Sequence, residues 1–250
     1  MSQTLVLDVG NSRMKWGLHG PRGWMASGVT LNTEIGTLAL RDWQNLPRPV
    51  RVVGVNVAGE AARVRLEAQI ARWRLIPHWL SSSAEACGVT NGYRTPTQLG
   101  ADRWASLVAA RQRTLADDPV SPAIVVNAGT AVTIDALAAD GRFLGGLIVP
   151  GLRLMLRVLA ENTAALKMPS GKFTPFPDNT PDALYSGAVQ AVTGAIELMR
   201  LRLDTEDRAA RCFIAGGAAP EIAPYLTGSV EVVDNLVLEG VLALADASGA

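Results

Sequence analysis

Cysteine and histidine are almost absent from this 250-residue chain, which has two of each: Cys87, Cys212, His19 and His78. No C-x-x-C pair occurs and neither histidine has a ligand partner four residues on, so zinc sites and disulfide scaffolds are set aside. An excess of charge is lacking too, because 23 basic residues cancel 23 acidic ones. No run of like charge is long enough to track a phosphate backbone, and no nucleic-acid partner is expected. Apolar stretches stop short of the roughly 18 uncharged residues that a membrane span needs. Gly146 to Ala160, for example, carries Arg153 and Arg157, so no membrane partner is expected. No basic region precedes the first apolar run, and Asp8 breaks Leu5-Val6-Leu7 at once. That does not read as a signal peptide, and a cytoplasmic protein is expected. Neither G-x-x-x-x-G-K-[ST] nor a helix-opening G-x-G-x-x-G is present, so the P-loop and dinucleotide schemes fail. Lysine is scarce: only Lys15, Lys167 and Lys172 among the basic residues, the rest being arginine. Arginine holds planar anions in bidentate fashion, a lean towards anionic ligands.

What is present is a chain with 48% hydrophobic residues and an internal echo. Length and apolar content allow one large core or two lobes of roughly equal size. Leu5-Val6-Leu7-Asp8-Val9-Gly10-Asn11-Ser12 reads like Ile124-Val125-Val126-Asn127-Ala128-Gly129-Thr130-Ala131, at an offset of 119. Each copy is a buried strand running into a tight polar turn. Return strands follow at Met14 to Leu18 and Val132 to Leu137, and third strands at Trp24 to Val29 and Phe143 to Val149. The first half continues with a strand at Arg51 to Val57, a helix at Glu60 to Arg74, a short strand near Leu75 to Leu80 and a helix at Arg103 to Thr114. The second half has helices at Leu152 to Asn162 and Asp182 to Leu203, a strand at Arg211 to Ala215 and a closing helix from Asn235. Thr180-Pro181-Asp182 reads as a helix start with Thr180 as N-cap. The linker 116–122 holds two prolines and two acids, which places the boundary of two lobes, 1–118 and 119–250.

Paired strand–turn units suit a nucleotide triphosphate. Glycine lets backbone N–H groups approach phosphate oxygens, and Asn, Ser and Thr add neutral donors. A third turn, Ala215-Gly216-Gly217-Ala218, follows another strand and would let a flat adenine lie against the backbone. The plain alternative is that these are hairpin turns, for which Asp, Asn and Gly are ordinary residues. Lys15 stands three residues past Ser12, either within reach of a terminal phosphate or as an exposed strand lysine. The segment Asn91 to Arg103 sets Asp102 and Arg103 side by side where a helix begins. Phosphoryl transfer to an alcohol needs a carboxylate that orients the hydroxyl and takes its proton, and Asp102 is the best-placed candidate. The alternative makes Asp102 the N-cap of the following helix.

The order of these segments resembles the type III pantothenate kinases, including members described as Bvg accessory factors. Their pattern is D-x-G-N-[TS], then N-x-Y-x-x-P-x-x-L-G-x-D-R, then D-x-G-T-A-x-T-x-D, then a Gly-Gly-x-x-P-x-x-x-P turn. Here the four stretches are Asp8 to Ser12, Asn91 to Arg103, Asn127 to Asp135 and Gly216 to Pro224. The resemblance implies an α/β protein of the actin-like ATPase fold (acetate and sugar kinase, heat-shock chaperone, actin), with two ribonuclease H-like domains around an inter-domain cleft. It implies phosphorylation of pantothenate to 4'-phosphopantothenate with ATP and Mg2+, the first step of coenzyme A biosynthesis. Asp8, Val9, Gly10, Asn11, Ser12, Arg13, Met14 and Lys15 would hold the phosphates, Thr130 would meet them from the other lobe, and Gly216 and Gly217 would take the adenosine. Tyr93, Gly100, Ala101, Asp102 and Arg103 would hold pantothenate, with Asp102 as proton acceptor. Thr180 falls where a partner subunit supplies a substrate contact, so a homodimer is implied. The family also implies a monovalent cation, K+ or NH4+, tied to an Asp where this chain has Asn127. An amide oxygen can ligate but lacks the compensating charge, so no metal ligand is assigned. Two other readings stay open at this stage: a non-catalytic nucleotide-binding accessory protein, and a kinase of another small alcohol.

Overall fold

The computed structural model describes residues 3–118, 120–161, 171–203 and 209–249. Pro119 of the expected linker and Asn162 at the end of an expected helix lie outside the described residues. The chain divides into two compact units, one of Met1–Gln112 with Asn235–Ala250 and one of Arg113–Asp234.

In the first unit, β1 (Thr4–Val9), β2 (Arg13–Gly20), β3 (Gly23–Leu31), β4 (Arg51–Asn56) and β5 (His78–Trp79) form a sheet in the order β3-β2-β1-β4-β5. Strand β1 runs antiparallel to β2 and parallel to β4. Side chains alternate across a strand. Leu5, Leu7 and Val9 therefore join Met14, Trp16 and Leu18 in one buried layer, where Ile35, Leu38 and Trp43 cover them. Helix α1 (Glu60–Ile70) closes this layer with Ala62, Leu66 and Ile70, spaced four apart along one face. Val6 and Asp8 face the other way. On that side lies the closing helix α6 (Leu236–Ser248), whose Leu238 reaches Gly17, the residue opposite Val6.

The second unit repeats the plan. Its strands β8 (Ala123–Ala128), β9 (Ala131–Leu137), β10 (Arg142–Pro150), β11 (Arg211–Ala215) and β12 (Val230–Val232) lie side by side in the order β12-β11-β8-β9-β10. Strand β8 is again antiparallel to its return strand and parallel to the later one. Ile124, Val126 and Ala128 pack with Val132, Ile134 and Ile214 under Val189, Val192 and Ile196 of α4 (Thr180–Leu203).

Several sequence expectations shift. The unit division falls at 112/113, within α2 (Ala101–Asp117), rather than at 118/119. The closing helix belongs to the first unit, because its apolar face packs on β1 and β4. The N-cap of α4 is Asn179, whose side-chain oxygen accepts the Asp182 N–H at 3.0 Å while its carbonyl accepts Ala183 N–H at 2.9 Å. Thr180 is the exposed first residue of that helix. The 75–80 strand shrinks to two residues, since β5 pairs with β4 only at His78 and Trp79. Elements without a clear signal include a 3-10 helix at Asn32–Leu40, the hairpin of β6 (Glu85–Ala86) and β7 (Val89–Asn91), the helical turn α5 (Ala219–Ile222), and β12. The β6–β7 turn needs positive φ at both central residues, which Cys87 (49°) and Gly88 (77°) adopt. Among the described residues, no helix is long and apolar enough to cross a membrane.

Candidate active site

The first unit gathers the charged groups. Asp8 and Lys15 are direct cross-strand partners of β1 and β2, so both side chains stand on the same face of the sheet. Asp102 occupies the first turn of α2, where the helix dipole favours a carboxylate. It is not the N-cap: the helix starts at Ala101, the Gly100 carbonyl accepts the Trp104 N–H at 3.0 Å, and Asp102 Oδ1 accepts the Arg103 N–H at 2.8 Å. Gly100 makes that carboxylate position possible, because a Cβ there would sit 2.6 Å from Asp102 Oδ1. The Asp8 carboxyl is pushed up to about 7, chiefly by burial and then by the Asp102 carboxylate, with the Lys15 ammonium acting in the opposite direction. Asp8, Lys15 and Asp102 therefore form one electrostatic cluster.

The segment leading to Asp102 is braced from within the same unit. Ser82 donates its hydroxyl to the carbonyls of Pro96 (2.9 Å) and Leu99 (2.7 Å). The Asn91 side chain donates to Ser83 and Pro96 carbonyls and accepts the Tyr93 N–H at 3.1 Å. Arg103, 4% exposed, donates from Nη1 to the Tyr93 hydroxyl at 3.1 Å and lies 5.7 Å from the centre of that ring. Tyr93, Gly100, Ala101, Asp102 and Arg103 thus form one braced group, with Gly100, Ala101 and Asp102 half-buried.

The turn between β1 and β2 is closed by Gly10 N–H to the Arg13 carbonyl at 3.1 Å. Asn11, Ser12 and Arg13 are exposed, Val9 and Met14 are buried, and Gly10 is half-buried. Asn32, which follows β3, holds this turn: its Nδ2 donates to the carbonyls of Gly10 (2.8 Å) and Asn11 (2.9 Å), and its backbone N–H to that of Ser12 (3.1 Å). Sequence reading passed over Asn32. The signal lies in the same 119-residue offset, which carries Asn32 onto Gly151, the residue after β10.

In the second unit the β8–β9 turn is closed by Gly129 N–H to the Ala131 carbonyl at 3.0 Å, and Gly151 N–H donates to the Thr130 carbonyl at 2.9 Å. A Cβ on Gly151 would overlap the Gly129 and Thr130 backbone. Gly216, at φ +102°, lies against Ala128 in the same way, and Ala218 N–H donates to the Ala128 carbonyl at 3.0 Å. Thr130, Gly216 and Gly217 therefore belong to adjoining turns, with Thr130 and Gly217 exposed. Asn127 is half-buried on β8 opposite Thr133, whose buried hydroxyl has no hydrogen-bond partner. Both oxygens are neutral, so this pair offers a cation ligands without charge. Among the described residues no group of three or more His, Cys, Asp or Glu side chains could hold a metal ion.

Known proteins resemble this chain. The family model described as type III pantothenate kinase matches residues 4–202. A type III pantothenate kinase of Nitrosospira multiformis is 47% identical over 246 residues, covering 96% of this chain and 90% of the relative. Among solved structures, a protein of Campylobacter jejuni described as a Baf family transcriptional activator superposes with TM-score 0.65 at 20% identity, over 98% of both chains. One of Sinorhizobium meliloti described as a 2-dehydro-3-deoxygalactonokinase gives 0.60 at 15% identity, over 98% of this chain and 99% of the other. These two likenesses concern the fold, which is that of the actin-like ATPases and sugar kinases. With a family model across most of its length and a relative at 47% identity over nearly all of it, this chain belongs to the type III pantothenate kinase family.

Proposed function

We propose that the chain transfers the γ-phosphoryl group of ATP to the primary hydroxyl of pantothenate, giving 4'-phosphopantothenate, the first step towards coenzyme A. The observation that carries the residue assignments is the clustering of Asp8, Lys15 and Asp102 in one unit, beside the braced Tyr93–Arg103 pair. Asp102 orients the hydroxyl and accepts its proton, a contribution of about 10² to 10⁴-fold. The turn from Asp8 to Lys15 and the exposed Thr130 bind phosphate oxygens, and Gly216 and Gly217 receive the adenosine. Tyr93, Gly100, Ala101 and Arg103 hold pantothenate. Phosphoryl transfer asks little covalent chemistry of a protein, so positioning and charge neutralisation supply most of the rate.

Mg2+ fits this donor set. Burial first, and then the second carboxylate at Asp102, raise the Asp8 carboxyl to about 7 against the opposing pull of the Lys15 ammonium. A divalent cation offsets the carboxylate charge and draws Asp8 back to the carboxylate. Asp8 would hold Mg2+, which would supply neutralisation of the phosphate charge. A K+ or NH4+ beside Asn127 would meet neutral oxygens from Asn127 and Thr133, with the buried carboxylate of Asp135 on the same face of β9. A homodimer is consistent with Thr180, which is exposed at the start of α4 near the 95%-exposed Phe176 and serves as a substrate contact supplied to the partner subunit. Residence in the cytoplasm suits an enzyme of coenzyme A synthesis.

The test is a coupled assay of ADP release with pantothenate beside a panel of sugars, run with K+, NH4+ or neither. Pantothenate-dependent turnover is expected. Sugar-dependent turnover alone would make it a kinase of another alcohol, and none under any condition would make it an accessory nucleotide-binding protein.

A further inference from the structure

We infer that Asn32 is the positioning residue of the ATP-phosphate turn, fixing which way its peptide planes face. The inference rests on the reading that the turn from Asp8 to Lys15 binds phosphate. In a trans peptide the carbonyl of one residue and the N–H of the next point in opposite directions. Asn32 takes three consecutive carbonyls, those of Gly10, Asn11 and Ser12, at 2.8, 2.9 and 3.1 Å. Tying the Gly10 and Asn11 carbonyls to the Asn32 amide turns the N–H groups of Asn11 and Ser12 away from it. Successive N–H groups aimed one way form an anion-binding concavity.

The chemistry of the side chain agrees. A primary amide nitrogen has two protons, enough for two carbonyls. Both are used, while Asn32 Oδ1 is buried with no hydrogen-bond partner. Leaving a buried acceptor unpaired costs about 1–3 kcal/mol. The residue thus holds the turn's carbonyls at the expense of its own, the opposite of what a side chain chosen for local stability alone would do. Beyond its bonds to the turn, it begins the 3-10 helix Asn32–Leu40, and Arg65 donates to its carbonyl at 3.4 Å.

The test measures KM for ATP, KM for pantothenate, kcat and the melting temperature of Asn32→Ala and Asn32→Asp, with Ser12→Ala as the control for the turn itself. Asn32→Asp keeps the shape but sets oxygens against the carbonyls, so it retains a folded chain if the bulk of the side chain suffices. Losing two hydrogen bonds to the turn is expected to raise KM for ATP about tenfold or more, with KM for pantothenate within about twofold of wild type. Equal changes in both KM values, or a lowered melting temperature with unchanged KM for ATP, would make Asn32 a merely structural residue and overturn the inference. If Ser12→Ala raises KM for ATP while both Asn32 variants leave it unchanged, the positioning role alone falls. If all three leave it unchanged, the phosphate reading of the turn falls with it.

Discussion

The two strand–turn–strand units are built to one plan and finished differently. Both sheets run return strand, first strand, later parallel strand in the same order, and in both the residue after the third strand donates its N–H to the last carbonyl of the turn. In the first unit four residues separate the paired Val9 and Met14, and in the second three separate Ala128 and Val132. The longer turn is tied from outside by the Asn32 side chain. The shorter one is held by backbone packed on backbone, with Gly151 in the Asn32 position and no room for a side chain. Charge differs as well: Asp8 and Lys15 flank the first turn, and neutral Asn127 and Thr133 the second. A duplicated scaffold can thus carry one side-chain-adjusted turn flanked by charges and one close-packed turn flanked by neutral residues, and the proposed base, Asp102, belongs to the unit with the charged one.

The largest expected effect lies on the charged side. Asp102→Asn keeps the size of the side chain and should fold and bind ATP, yet lose at least roughly a hundredfold in kcat. Near-normal turnover would remove Asp102 as the base and leave the charge asymmetry without a catalytic meaning. Next comes the close-packed side. Gly151→Ala forces a methyl group into the Gly129–Thr130 backbone, and overpacking of this kind costs about 1–3 kcal/mol. A lower urea midpoint together with a raised KM for ATP is expected. An unchanged midpoint would show that the second turn yields as readily as the first.

Much of this was legible in the sequence, because buried strands advertise themselves. The runs Leu5 to Val9 and Ile124 to Ala128 are nearly unbroken apolar segments followed by Gly, and the structure has strands at both. The 211–215 strand has the same bounds in sequence and structure. What was hidden depends on partners distant in the chain. β12 is three residues, Val230–Val232, that exist as a strand because β11 offers an edge. The return of α6 to the first unit is decided by which sheet its apolar face meets, which no local pattern encodes. At the site, the motif named the residues around Asp102 but not what braces them: Ser82 is an ordinary serine until the loop folds over it. The N-cap of α4 went to Thr180 instead of Asn179 because both are good capping residues and only the observed hydrogen bonds separate them.

A smaller effect tests the electrostatics of the charged side. The Asp8 carboxyl is raised from 3.8 to about 7 in the folded chain. Between those values the folded state holds a proton that the unfolded state has released, so the wild-type chain loses stability as pH rises from about 4 to about 7. Asn mimics the protonated form. Asp8→Asn should therefore melt higher than wild type at pH 8, by a margin that narrows as pH falls towards 4, while ATP turnover drops. A margin independent of pH would mean that Asp8 is ionised throughout and that burial and Asp102 together do not raise its carboxyl.

The smallest effect concerns the neutral side, and Asn127→Asp is the substitution that probes it. It places a carboxylate on a half-buried position of β8, opposite the unpartnered Thr133 hydroxyl. Burying a charge in place of a neutral amide is destabilising. In a buffer whose only cation is a bulky organic ammonium, the variant should melt below wild type. A small monovalent ion can take the new carboxylate and the Thr133 oxygen together, and ligand binding to the folded state alone raises stability with concentration. Potassium should therefore restore the variant's melting temperature while leaving wild type almost unmoved, an effect of about 1 kcal/mol at saturating salt over weak binding. An equal response of both chains to potassium would mean that wild-type Asn127 already coordinates the ion with its amide oxygen. The two turns would then differ in the strength of their ion site and no longer in its presence.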